Sequence, residues 1–204
     1  LYFTDTPPKT HPRIIPLRFD NLDIPAGDTQ YVVEDEFTLP INVQVLAIYP
    51  HAHFLGKHIL AMATLPDGTQ KRLIEIKDWD FNWQDVYRYA APFFLPRGTT
   101  LSMRYTYDNS SANIQNPNQP PKRVVTGNRS SDEMAHLWIQ ILPETHNDRL
   151  ELMESVLRRL LHKTPSNIPK QFRLGHVLRE RGKFDEAIER FQYVAESGTN
   201  DLTA

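Results

Sequence analysis

The chain divides in two by the way its apolar residues recur. Up to Pro143 they alternate with polar residues or form short runs closed by turn residues; beyond it they repeat at helical spacing. The strand-like runs are "TQYVVEDEFTL", "INVQVLAIYP", "HILAMATL", "QKRLIEI", "YRYAAPFFL", "TLSMRYTYD" and "AHLWIQIL". Asp67-Gly68 in "PDGT" predicts a hairpin between "HILAMATL" and "QKRLIEI". "PRGT" predicts a second turn, between the next two runs. Strands this numerous and closely spaced predict that residues 1–143 are mainly β, an antiparallel β-sandwich of jelly-roll type. The polar, proline-rich stretch "DNSSANIQNPNQPPK" (108–122) reads as a loop long enough to suggest a function, such as covering a site.

Residues 144–204 read as α-helical, beginning with a helix over about 146–162. After it, "FRLGHVLRERGKFDEAIERFQYVAE" sets Gly175, Gly182, Phe184, Ala187, Ile188 and Phe191 in the register of one tetratricopeptide unit, spanning about 168–201. Small residues let two antiparallel helices approach, and large apolar ones fill the seam. Thr199 stands where such a unit usually ends in proline. One unit does not bury a continuous core alone. This reading therefore expects further repeats after Ala204 and a protein partner on the helical array.

Composition narrows the chemistry. A net charge of -2 gives no basic footprint for nucleic acid. No apolar run approaches the ~20 residues of a membrane helix. No secretory signal is visible at the start, although a chain beginning with Leu leaves room for one upstream. Cysteine is absent, which excludes disulfides, thiolate metal sites and a cysteine nucleophile. A metal site here must use His, Met, Asp, Glu or backbone.

The stretch "YPHAHFLGKH" (49–58) is the candidate for such a site. On a strand, residues two apart share a face, so His51 and His53 form a compact two-ligand unit. Pro50 puts the pair near a strand edge or end. Read alone, the pair is more readily two exposed histidines than a metal site. A third ligand would come from His58, His136, His11 or a methionine. His58 faces away from His53 on a continuous strand, unless Gly56 breaks it. Met134 stands where a polar loop turns into an alternating strand, and its thioether beside two imidazoles suits copper. Met134 is equally a gap-filler in a core. His136, two residues on, is a candidate extra ligand or proton donor on the same face. Ser130 and Glu133 also fit a helix N-cap, but the strand-like "HLWIQI" opposes it. The aromatic "DWDFNWQDVYRY" (78–89) is either a lip over the site or core packing, and packing is favoured. His11, His146, His162 and His176 read as ordinary surface or helix residues.

Two motifs together carry a resemblance. His51, His53, Leu55, Gly56 and Lys57, followed by Ser130, Ser131, Asp132, Glu133 and Met134, resemble the C-terminal domain of the copper type II, ascorbate-dependent monooxygenases. That family includes peptidylglycine α-hydroxylating and dopamine β-monooxygenases. "FFLPRGTTLSMRYTYDNS" fits the strand pair between the two motifs. The resemblance covers about residues 1–143. It implies a β-sandwich in which His51, His53 and Met134 bind one catalytic copper. Such a copper hydroxylates a C–H bond of a small-molecule or peptide-like substrate with O2, and a reductant such as ascorbate supplies the electrons. A second, all-histidine copper is expected on a preceding domain. "LYFTDTPP" resembles the stretch just after that domain's last histidine motif.

The resemblance also implies an extracytoplasmic location. Departures from the family matter. Tyr49 stands where the peptide hydroxylase has an arginine for a substrate carboxylate. His136 and Trp138 stand for its asparagine and tyrosine, and its disulfides are missing. Peptidylglycine is therefore not the expected substrate. The alternative expectation is a non-catalytic copper- or ligand-binding β module attached to a tetratricopeptide scaffold.

Overall fold

A computed structural model describes residues 11–200, with side chains to 197. The stretch "LYFTDTPP" lies outside the described residues. The chain separates into two compact units, residues 1–142 and 143–204.

The first unit is built from antiparallel β-strands. One four-stranded sheet has the order β1 (Arg13–Phe19), β10 (Ala135–Pro143), β4 (Val43–His51), β7 (Tyr87–Leu95). The other has the order β3 (Tyr31–Thr38), β8 (Thr100–Tyr107), β5 (Gly56–Thr64), β6 (Gln70–Ile76). A two-residue pair, β2 (Asp23–Ile24) with β9 (Val124–Val125), completes it.

Period-two patterning decides which face each strand buries. In β10, Ala135, Leu137, Ile139 and Ile141 are wholly buried, while His136, Trp138 and Gln140 are half-buried on the opposite face. In β8, Leu101, Met103, Tyr105 and Tyr107 face inward. Two phenols tie the sheets across this core: Tyr105 Oη donates to the His136 carbonyl and Tyr107 Oη to the Met134 carbonyl, both at 2.7 Å. Burial holds both phenol pKa values far above the ordinary range, so both remain donors.

The β5–β6 hairpin forms as predicted, with Gly68 at φ 85°. "PRGT" turns the chain too, but it does not join a strand pair. β7 pairs with β4 and β8 with β3 and β5, so this turn carries the chain from one sheet to the other. The turn is fixed by Gly98 and Thr99 bonding to Leu39 (Gly98 N–H to the Leu39 carbonyl, Leu39 N–H to the Thr99 carbonyl, each 2.8 Å). Strand β1 has no counterpart among the predicted runs. Its Pro16 argues against a strand, and it is accommodated because β1 lies at a sheet edge.

The 108–122 loop is fastened by asparagines. Asn109, fully buried, donates from Nδ2 to the carbonyls of Ile24, Pro25 and Lys122 and accepts from Asn116 Nδ2.

The second unit has three helices, α1 (His146–Lys163), α2 (Ile168–Glu180) and α3 (Phe184–Asn200). Thr145 and Asp148 form a reciprocal capping box at the start of α1. Leu157, Leu161, Leu174, Val177, Leu178 and Ala187 make the core. A Cβ on Gly175 would lie 2.7 Å from the Phe191 ring, so only glycine allows this approach of α2 to α3. Gly182 turns the chain between them at φ 73°. Phe184 and Ile188, by contrast, are exposed.

Candidate metal centre

Strand β4 ends at His51, and the chain then leaves the sheet, so His53 is not on the strand as the spacing alone predicts. The two imidazoles still come together, edge to face with ring centroids 5.1 Å apart. Pro50 marks a strand end and not an edge. β4 is an inner strand, and Pro50 lies beyond the last β4–β7 partners, Ile48 and Tyr87. No ladder hydrogen bond to β7 is lost there.

Both rings are held by one nitrogen. His53 Nδ1 lies 3.0 Å from the Asp132 carbonyl, which can only accept, so Nδ1 carries the proton. His51 Nδ1 lies 2.6 Å from Gln84 Oε1. The Gln84 amide is oriented by its own Nε2, which donates to the Phe81 carbonyl at 3.1 Å. The oxygen therefore faces His51, and Nδ1 of His51 is again the donor. Each ring is left with its Nε2 lone pair, the state in which imidazole binds a metal. Burial lowers the His51 pKa, the Gln84 bond raises it, and the neighbouring His53 lowers it; the net shift is downward, favouring the neutral ring.

Met134 is joined to the histidines through Glu133. Glu133 Oε1 accepts from the backbone N–H of His53 and, at 2.8 Å, from that of Met134; Oε2 accepts from Leu55 N–H at 3.0 Å. This carboxyl is wholly buried. Burial pushes its pKa up to about 7, against the pull of the amides of His53, Met134, Leu55 and Gly56. Glu133 thus binds the histidine turn to the start of β10. No helix forms there, so the N-cap alternative for Ser130 and Glu133 fails. By strand alternation Met134 shares the face of His136 and Trp138.

His136 stands 6.2 Å from His51 between ring centroids, and its Nε2 lies 3.6 Å from Asp20. Burial lowers its pKa, and the Asp20 charge only partly opposes this. His58 belongs to β5 and pairs with Glu75 at 3.2 Å, so it is not gathered with His51 and His53. Among the described residues no three His, Cys, Asp or Glu side chains form a group able to hold a metal. A third protein donor at this centre must therefore be of another kind, and Met134 is the candidate that the backbone places beside the pair.

The aromatic stretch 78–89 splits between packing and site. Trp79 is core, with its Nε1 donating to the His53 carbonyl at 3.0 Å. Phe81 sets its ring edge-to-face with His53 at 5.5 Å, and Gln84 holds His51. Trp83 is 76% exposed. The roles of Gln84, Phe81 and Glu133 have no spacing signature of their own; only the quoted Ser-Ser-Asp-Glu-Met run contained one of them.

Beside His51 the outer face of the β1–β10–β4–β7 sheet carries an open groove of about 340 Å³. Tyr49 and Trp138 stack at 5.2 Å and 15° along it, and Val86 and Arg88 of the β7 side form another wall. Trp138 is 6.1 Å from His51.

Comparison with known proteins gives one match. The family model described as copper type II ascorbate-dependent monooxygenase, C-terminal domain, matches residues 25–153, well over half of the chain and including His51, His53 and Met134. No curated protein matches the chain.

Proposed function

The chain belongs to the copper type II ascorbate-dependent monooxygenase family, through that family's C-terminal domain, and from this premise we propose that His51, His53 and Met134 hold one catalytic copper ion. Bound there, copper would supply the one-electron chemistry by which O2 hydroxylates a substrate C–H bond, with an external reductant such as ascorbate. The observation that carries the reading is the pair of Nδ1 hydrogen bonds, to Gln84 and to the Asp132 carbonyl, which leave two Nε2 lone pairs on adjacent rings. The donor set fits the metal: thioether favours Cu(I), and imidazole serves both copper oxidation states.

The residues around the set have separate tasks. Gln84 and the Asp132 carbonyl orient the rings and fix their tautomers. Glu133 holds the His53 and Met134 backbones at one carboxylate oxygen. Phe81 packs on His53 and limits water there.

The two sheets, tied by Tyr105 and Tyr107, read as a β-sandwich of jelly-roll type over residues 1–143. Residues 144–204 read as a helical segment with one tetratricopeptide-type unit that engages a protein partner; the Gly175–Phe191 contact supports the close helix packing this needs. A second copper is expected on a domain preceding this one. Family membership is our ground for an extracytoplasmic location. No helix among the described residues is long and apolar enough to cross a membrane.

The test is copper titration of the wild-type chain and of His51→Ala, His53→Ala and Met134→Ala, with circular dichroism to confirm folding. Stoichiometric binding that each substitution weakens supports the centre. Binding indifferent to all three removes it. Oxygen uptake with ascorbate, on a chain that also carries the second copper domain, then tests the activity.

A further inference from the structure

We propose that the groove beside His51 binds a flat, apolar organic acid, an aryl-alkanoate in chemical class, and that Arg88 takes its carboxylate. Calling this acid the substrate rests on the copper reading above; the binding itself does not.

Three observations carry it. The groove's volume, about 340 Å³, lies at the small end of the range for small-ligand sites, which suits a ligand of one ring and a short chain. Its floor is the stacked pair Tyr49 and Trp138, whose broad apolar faces favour a planar body. Its charge is one-sided. Arg88 is exposed on β7, forms no ion pair or hydrogen bond among the described residues, and shares the groove with Ile48, Val86 and Gln140 but with no Asp or Glu. A guanidinium without a protein partner, at the rim of an apolar groove, is built to meet a planar carboxylate in a bidentate pair.

The arrangement also has a direction. Trp138 lies 6.1 Å and Tyr49 6.5 Å from the His51 ring. A ligand lying along the stacked pair extends toward His51 from a carboxylate held by Arg88 on the neighbouring strand. Ala47 of β4 pairs with Arg88 of β7, so the anchor stands four residues along β4 from His51. Hydroxylation of such a ligand would place one atom of O2 in a C–H bond. The other atom would leave as water, consuming two electrons from the external reductant and two protons.

The experiment uses the whole chain, 4-phenylbutanoate as probe and neutral 4-phenylbutanamide as its comparison. Binding is followed by ligand-observed NMR and tryptophan fluorescence. The acid is expected to bind roughly tenfold tighter than the amide, as a charge-assisted pair at a partly solvated site gives. Arg88→Gln should bring the two within about twofold, while Arg88→Lys keeps part of the preference. Equal binding of acid and amide in the wild type, or an acid preference that survives Arg88→Gln, overturns the proposal. In the Cu(II)-loaded chain the bound acid's protons should broaden, and in His51→Ala they should not.

Copper titration of the same samples separates the two readings. Normal copper uptake with no acid preference sinks the groove and leaves the centre standing. Acid-selective binding in a chain that takes up no copper overturns the assignment of this acid as substrate.

Discussion

Replacing Gln84 by Leu tests the link between the fold and the centre most directly. Gln84 follows the 3₁₀ turn Phe81–Trp83 and offers His51 its only printed hydrogen-bond partner, an oxygen 2.6 Å from Nδ1. Leu keeps the bulk and removes the acceptor. With no partner at Nδ1, nothing fixes the proton there, and the Nε2–H form, useless as a ligand through Nε2, becomes populated. Outer partners of metal-binding histidines are typically worth ~10–100-fold in affinity, or about 1.4–2.8 kcal/mol. The half-buried setting of His51 argues for the lower part of that range.

Two measurements follow. In the copper-free protein, nitrogen-15 NMR should show Nδ1 protonated and Nε2 unprotonated on both His51 and His53. In Gln84→Leu, His51 alone should become a mixture, because His53 keeps the Asp132 carbonyl. Competition with a Cu(I) chelator should show the affinity loss. Gln84→Glu, which still accepts from Nδ1, should restore it. An Nε2–H tautomer in the wild type, or copper affinity within twofold of wild type in Gln84→Leu, would refute the argument.

Three other perturbations are as specific. Gly56→Ala places a Cβ 2.7 Å from Trp79 Cδ1 and 3.0 Å from Ala52 Cβ, so it should cost about 1–3 kcal/mol and alter the near-ultraviolet signal of Trp79. Urea unfolding read by tryptophan fluorescence reports it, since all three tryptophans lie before Pro143. Asn109→Ala removes the side chain that bonds three carbonyls and Asn116, and it should lower stability by about 2–4 kcal/mol in the same assay. Glu154 should make the helical unit acid-sensitive. Burial alone would raise its pKa, but its hydrogen bonds to Lys183 and Arg158 and the charges of Arg158 and Arg181 bring it below the ordinary 4.5. Its contribution is therefore present above 4.5 and lost as pH falls through the lower folded value. Helical thermal melts should show this loss, and Glu154→Gln should abolish it.

Strands whose pattern is local were legible in the sequence. β10 alternates without interruption, and the β5–β6 turn carries Asp67-Gly68. Where pairing is decided at long range, the pattern was silent. "PRGT" looks like a hairpin turn, but Thr100–Tyr107 gains more by pairing with both β3 and β5 than by folding back on β7. Pro16 disguised an edge strand. At the centre, His51, His53 and Met134 stood out by residue type and motif. Gln84 did not, because its importance lies in the direction of one amide oxygen, which depends on the Phe81 carbonyl. The aromatic stretch 78–89 looked uniform, yet it delivers one ring to the core, one to His53 and one to solvent.

The buried Glu133 explains why segments so far apart in sequence meet at one point. A carboxylate sealed from water with no cation beside it is costly, and burial accordingly pushes its pKa up to about 7. A purely structural core would have no use for it, since an apolar residue there would avoid that cost. What no apolar residue can do is accept several backbone N–H groups at once. Oε1 takes those of His53 and Met134, and Oε2 that of Leu55, so the amides of a turn and of a strand start converge on two atoms 2–3 Å away. Glutamine offers one acceptor oxygen and aspartate a shorter reach, so neither reproduces the set. The unfavourable burial and the position of the proposed ligands are therefore one feature. The fold tolerates a strained electrostatic balance at Glu133 because that balance keeps the His53 and Met134 backbones in register.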